Sequence, residues 1–282
     1  MKIILSRKGF DSTAGGCPSP IFPDGSMVSL PIPSATSGLR YDDLRWRDRK
    51  LSDIVNRLNG AKPKPHDLAH LDPDLVRDSR PRASGWRPLF GQDGSPQGHL
   101  REQGVGSGDL FLFFGLFRDV DSMGRFIRLR KARHVIWGWL QIDRVLTVDD
   151  HLDELGWAGD HPHVGRERDP SNTLYVARTN LALAGHDPNG SAIPGGGVFE
   201  NFDPRLQLTD PDAKGHSLWR LPIWFMPTGR PPLSYHRRLS RWTSKADHVT
   251  VQSVGRGQEF VLDTKYYPET TDWVLHLLKA RG

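Results

Sequence analysis

"GDLFLFFGLFR" (residues 108–118) and "HVIWGWLQIDRVL" (residues 134–146) decide how this chain folds. Both are dense in aromatic and β-branched side chains, which suit a pleated, buried surface, so both read as strands. The intervening "DVDSMGRFIRLRKAR" (residues 119–133) reads as a turn plus a third strand, and the three together predict an antiparallel meander.

Outward from the meander, "KIIL" (residues 2–5) is a short apolar run that reads as a buried strand. "MVSLPIP" (residues 27–33) is extended, its prolines pushing it toward a sheet edge. "YDDLRWRDRKLSDIVNRLNG" (residues 41–60) carries Leu44, Leu51, Ile54, Val55 and Leu58 at mostly helical spacing and stops at Gly60. "DDHLDELGW" (residues 149–157) predicts one or two helical turns. "NTLYVA" (residues 172–177) and "SLWRLPIWF" (residues 217–225) predict strands, and "GHDPNGSAIPGGGVF" (residues 185–199) is turn-rich. "TTDWVLHLLKARG" (residues 270–282) closes the chain as an amphipathic helix.

The 29 glycines and 22 prolines cut the 282 residues into short elements, which excludes a helical bundle. No linker or internal repeat divides the chain, so the expectation is a single α+β, β-rich unit over residues 1–282, with long ordered loops and a few helices. One cysteine excludes an internal disulfide framework and fits a reducing cytosol. No apolar run reaches membrane-spanning length, and no membrane partner is expected. A net charge of +5 favours a polyanionic partner.

Two polar loops are the candidate site. "SRKGFDSTAGGCPSPI" (residues 6–21) is longer and richer in polar groups than a connection requires. Arg7 and Lys8 offer cations for phosphate, Asp11 a carboxylate for acid/base work, and Ser12 a hydroxyl. Gly15 and Gly16 allow close backbone approach. The loop lacks the Gly-Lys-Ser/Thr of a P-loop and the glycine spacing of a dinucleotide fold. Cys17 has no identifiable base beside it.

The second loop (residues 66–99) carries His66, His70, Asp72, Asp74, Gln92, Gln97 and His99. His66 and His70 have i,i+4 spacing, but prolines bracket a segment barely one turn long, and no metal site is assigned. "HPH" (residues 161–163) reads as a surface loop rather than a ligand pair. Gln92 and His99 suit hydrogen bonds to a base edge. Arg45, Arg47, Arg49 and Lys50 form either a solvated helix face or a stripe facing nucleic-acid phosphates.

"GDLFLFFG" followed by "HVIWGWLQI" resembles the small barrels of the PUA, ASCH and EVE group. That resemblance implies a partly open antiparallel barrel over about residues 100–180, with a pocket for an unstacked base. Phe113, Phe114, Trp137 and Trp139 would be either its walls or simply core. In order, "SRKGFDSTAGGCPSPI", "HLDPDL", "FGQDGSPQGHL", "GDLFLFFG" and "HVIWGWLQI" resemble the third nucleotide modification associated domain family of bacteria and phages. The resemblance implies a DNA-related role without fixing a reaction, and its shared polar positions match Arg7, Lys8, Asp11, Ser12, Asp72, Gln92, His99 and Asp109. The expected function is binding of a nucleotide or DNA base in a cleft walled by the two loops. Asp11, His99 and Lys8 would be the chemical groups, and other modification enzymes are possible partners. The alternative is a non-catalytic reader of modified bases in a modification or phage-defence system. No cofactor is named by any motif.

Overall fold

A computed structural model describes residues 1–59, 62–183, 192–255 and 257–281. The expected helix stop at Gly60 and the first part of the turn-rich loop, residues 185–191, lie outside them. The central sheet runs, strand beside strand, Glu259–Asp263, Lys2–Arg7, Leu110–Asp119, Arg133–Thr147, Thr173–Ala177 and Leu89–Gln92. Ser19–Ile21 extends it beside the end of Leu110–Asp119, and Gly196–Val198 pairs with Arg133–Thr147. Lys2–Arg7 is parallel to Leu110–Asp119 and antiparallel to Glu259–Asp263.

"GDLFLFFG" has no alternation because the strand it forms is buried on both faces from Leu110 to Phe117. It pairs antiparallel with Arg133–Thr147, as expected, with Leu110 opposite Gln141 and a register shift between Phe113 and Phe114. The expected third strand does not form. Residues 119–133 make a turn held by Asp121, whose carboxylate accepts from the backbone of Met123 and Arg125, and by a single bridge from Val120 to Phe126. The third neighbour is Thr173–Ala177.

The expected PUA-like barrel is not confirmed, because the sheet stays open. Its outermost strands, Leu89–Gln92 and Glu259–Asp263, do not pair with each other. Asp74 exchanges backbone bonds with Leu89 along one edge, and Ser234 covers Val261 along the other. Helix α2, Gly94–Glu102, follows directly from Leu89–Gln92. Phe113, Phe114 and Trp139 are core rather than pocket walls, at 2% exposure or less, while Trp137, also in the core, shares a cavity wall with Met27, Leu75 and Phe199.

Helix α1 is Leu51–Asn59 only. The preceding cations lie on a two-residue hairpin, Arg45–Trp46 against Arg49–Lys50, with Arg47 in the left-handed region at φ 55°. Helical spacing misled here because Leu44, Leu51, Ile54 and Val55 share one apolar cluster without sharing one helix. Helix α3, Thr270–Leu278, closes the chain as expected, its buried face joining the main core. No helix among the described residues is long and apolar enough to cross a membrane.

His134 lies in this core, its Nδ1 accepting from Trp219 Nε1 at 2.9 Å. Burial, helped by the charges of His216 and Arg7, pushes its pKa down to about 3. The folded chain therefore holds a neutral imidazole that the unfolded chain protonates below about 6.5. Its stabilisation is complete above that value and is lost as the pH falls toward 3. Urea unfolding between pH 7.5 and 5 should show stability declining with falling pH, this group supplying up to about 1.4 kcal/mol per unit. His134→Gln, which keeps an acceptor for Trp219, should flatten that slope; an unchanged slope excludes His134 as the source.

Candidate functional site

Strand Leu89–Gln92 positions two polar clusters, because its alternate residues face opposite ways. On the Phe90 and Gln92 face, Gln92 Nε2 donates to Glu259 Oε1 at 2.6 Å. Lys8 Nζ stands 3.2 Å from the same oxygen and 4.5 Å above the Phe90 ring. The Glu259 carboxylate is fully buried and Lys8 only 10% exposed, so each needs the other. Glu259 Oε2 has no hydrogen-bond partner.

On the other face, Gly91 leaves room for a ring. A Cβ there would lie 2.3 Å from His163 Cδ2. Along the strand's outer edge, the Gly91 N–H donates to Asp72 Oδ1 at 2.7 Å. Around that carboxylate stand His161 Nε2 at 3.3 Å from Oδ1, and His163 Nε2 and His70 Nε2 at 3.8 and 3.9 Å from Oδ2. The reading of "HPH" as a surface loop is overturned, since His161 and His163 are 2% and 3% exposed. His66, the other half of the i,i+4 pair, is exposed and beside Asp42.

Burial pushes the His70 imidazole down to about 4, and it lowers His163 as well, so both are neutral at pH 7. Burial alone would raise the Asp72 carboxyl; the nearby His161, His163 and His70 outweigh it and hold Asp72 below the usual carboxylate range. Asn172 fixes His163. Its Nδ2 donates to the His163 carbonyl, so its Oδ1 faces His163 Nδ1 at 2.7 Å and accepts that proton. His163 Nε2 is left with a lone pair toward Asp72. His161 and Asn172 also wall a cavity of about 690 Å³, to which Thr36, Ser37, Arg166 and Arg168 contribute. Arg166 is paired with Asp93 at 2.8 Å.

The other sequence candidates are dispersed. Asp11 Oδ1 accepts from the N–H groups of Thr13 and Ala14, capping its own turn, while Ser12 is exposed. Gly15 lies against the Phe10 ring, where a Cβ would meet it at 2.4 Å, and Gly16 faces Asn59. Arg7 donates to the carbonyls of Val254, Gly255 and Gly257. Asp109 accepts from the backbone of Lys2 and Gly106. Burial raises the Cys17 thiol to about 11, so it is protonated at neutral pH.

His99 bonds Ser234 Oγ at 3.0 Å and packs at a tilt against Tyr235, ring centroids 4.4 Å apart and planes 39° apart. Arg237, Arg238, Arg241 and Glu102 line the same cavity of about 550 Å³. Of the hairpin cations, Arg47 pairs with Glu200 and Lys50 lies 3.7 Å from Asp42, whereas Arg45 and Arg49 are exposed.

The family model for nucleotide modification associated domain 3 matches residues 2–263. The chain belongs to this family. Among curated proteins and solved structures it has no match. Membership in nucleotide modification associated domain 3 ties the protein to nucleotide modification systems. The matched span contains both clusters on the Leu89–Gln92 strand.

The Lys8–Glu259 pair gives a direct test of the first cluster. Lys8→Met leaves a buried carboxylate without its cation and should cost about 3 kcal/mol or more in urea unfolding. Adding Glu259→Gln to that variant should recover much of the loss. A cost below about 1 kcal/mol for Lys8→Met excludes the pair as a structural brace.

Proposed function

We propose that this protein acts chemically on a nucleotide, or on a base of DNA, at the Asp72 cluster, with the adjoining cavity holding the substrate. One observation carries the reading: three imidazoles and a carboxylate from distant parts of the chain converge, largely buried, beside a cavity bearing Arg166 and Arg168. A merely structural role does not require so many titratable groups around one point, and such convergence is characteristic of sites that move protons. His161, the imidazole that lines the cavity, takes the substrate proton, Asp72 lies beside it, and the arginines face the phosphates.

This assigns to Asp72 the carboxylate role that the sequence suggested for Asp11, whose oxygen is engaged by its own turn. Lys8 and Gln92 brace the opposite face through Glu259. DNA is held through phosphates by the Arg45, Arg47, Arg49 and Lys50 hairpin, where Trp46 stacks on Phe22 with centroids 5.0 Å apart.

A second reading, a reader of modified bases without chemistry, is favoured by the His99 cavity. Its Tyr235 is 46% exposed, sits at φ 63° and is flanked by arginines, which suits stacking on a base.

Incubation with modified and unmodified DNA and with free nucleotides, followed by nucleoside mass spectrometry, separates the two. Asp72→Asn should reduce product about a hundredfold or more while low-salt binding changes little. No product from the wild-type chain on any of these substrates removes the enzymatic reading. Loss of affinity in Tyr235→Ala then supports the reader. DNA affinity should also fall steeply with added salt, and replacing the four hairpin cations should flatten that dependence for all sequences alike. Binding that is flat with salt removes the hairpin from the interface.

A further inference from the structure

The same cluster has a property that a proton relay does not explain. His163 Nε2 presents a lone pair, because Asn172 takes the Nδ1 proton. It faces Asp72 Oδ2 at 3.8 Å, and His70 Nε2 faces the same oxygen at 3.9 Å. One ligand atom from each of His70, Asp72 and His163 lies within 4.8 Å of the other two. Bonds of about 2.1 Å in a tetrahedral arrangement place donors roughly 3.4 Å apart, so a small contraction would bring these onto a common ion. The His163 Nε2 lone pair and the Asp72 carboxylate face each other with no hydrogen between them and repel, and a cation at that point reverses the sign of the interaction.

We infer that His70 Nε2, Asp72 Oδ2 and His163 Nε2 bind a divalent first-row transition-metal ion. Two imidazoles and one carboxylate select such an ion over calcium or magnesium, which prefer all-oxygen shells. Three protein ligands leave open positions, as metal sites that do chemistry require. His70 is the partly exposed ligand, at 24%, and marks the side from which water reaches the ion.

The surroundings are those of a supported site. Asp72 Oδ1, the oxygen turned away from the ion, accepts from the Gly91 N–H at 2.7 Å. His161 Nε2 lies 3.3 Å from that oxygen, off the line of a hydrogen bond, in a buried position without another partner. Asn172 and Gly91 fix the His163 ring by hydrogen bond and by shape. Such outer contacts orient ligands and tune their affinity.

The inference concerns the cluster assigned above to nucleotide chemistry but stands on donor geometry alone. Its test uses the full chain, stripped with a chelator and titrated separately with Zn²⁺, Co²⁺ and anaerobic Fe²⁺. Competition with a chromophoric chelator gives affinity, and the visible Co²⁺ spectrum reports the ligand set. One equivalent should bind, and the preferred ion identifies the metal. His70→Gln should weaken binding more than about a hundredfold and His161→Gln about 10–100-fold, whereas His66→Gln should leave it unchanged. His70 lies at the mouth of the cluster, so its variant is expected to fold, which near-UV circular dichroism checks. Failure of all three ions to bind stoichiometrically overturns the inference, as does unchanged affinity in a folded His70→Gln chain. Metal uptake with no nucleoside product supports it and removes the nucleotide reading; turnover by a chain that takes up none of the ions does the reverse.

Discussion

The structure depends on how an open sheet deals with two edges that do not meet. Leu89–Gln92 and Glu259–Asp263 end the sheet on opposite sides, yet a single side-chain bond of 2.6 Å joins Gln92 to Glu259 across the gap. A backbone ladder would have closed a barrel and sealed its interior. A side-chain bridge instead lets other segments lie along both edges. The residues near Asp74 take one edge and those around Ser234 the other, and each delivers polar groups beside a candidate cavity.

Edge closure and chemistry coincide at Asp72. An edge strand must find acceptors for its outward N–H groups. Leu89 finds the carbonyl of Asp74, while Gly91 finds a carboxylate. Using a side chain in place of a carbonyl brings a negative charge into a largely buried position, anchored by the Gly91 N–H and ringed by imidazoles. The absence of a side chain at Gly91 then decides which ring can approach. One strand residue therefore supplies both the donor that holds the acid and the space that admits the base.

The inner strands Lys2–Arg7, Leu110–Asp119, Arg133–Thr147 and Thr173–Ala177 were legible in the sequence because they are largely buried and carry the apolar, β-branched and aromatic residues such burial demands; the edge strands Leu89–Gln92, inside a stretch read as a loop, and Glu259–Asp263 were not. The family was legible from five short motifs in order. The barrel was not, because openness is settled by whether residues about 170 positions apart in the chain pair through backbone or side chains, and composition carries no signal for that. The cation-rich stretch before Leu51 mimicked a helix, since its leucines serve a shared cluster from two different backbone conformations. The metal-type cluster escaped for a related reason. "HLD" and "HPH" each look ordinary in isolation, and only the fold brings them to one carboxylate. Their density in imidazole and carboxylate groups, read jointly, was the available signal. The opening loop was legible as an ordered, polar turn, but its polarity goes mostly into holding itself and the chain near Val254 in place.

Pairing Lys2–Arg7 with both Glu259–Asp263 and Leu110–Asp119 has a consequence for how the molecule is made. Lys2–Arg7 is an interior strand of the finished sheet, and one of its two neighbours, Glu259–Asp263, is synthesised about 250 residues after it. Until that segment emerges, an apolar strand waits with one flank unpaired, and Lys8 waits without Glu259. Contacts of such long sequence separation carry a large loop-closure cost and slow the final step. Completion of the sheet thus waits for Glu259–Asp263, and a nascent chain arrested before residue 259 would display a sheet edge open to any strand that came near.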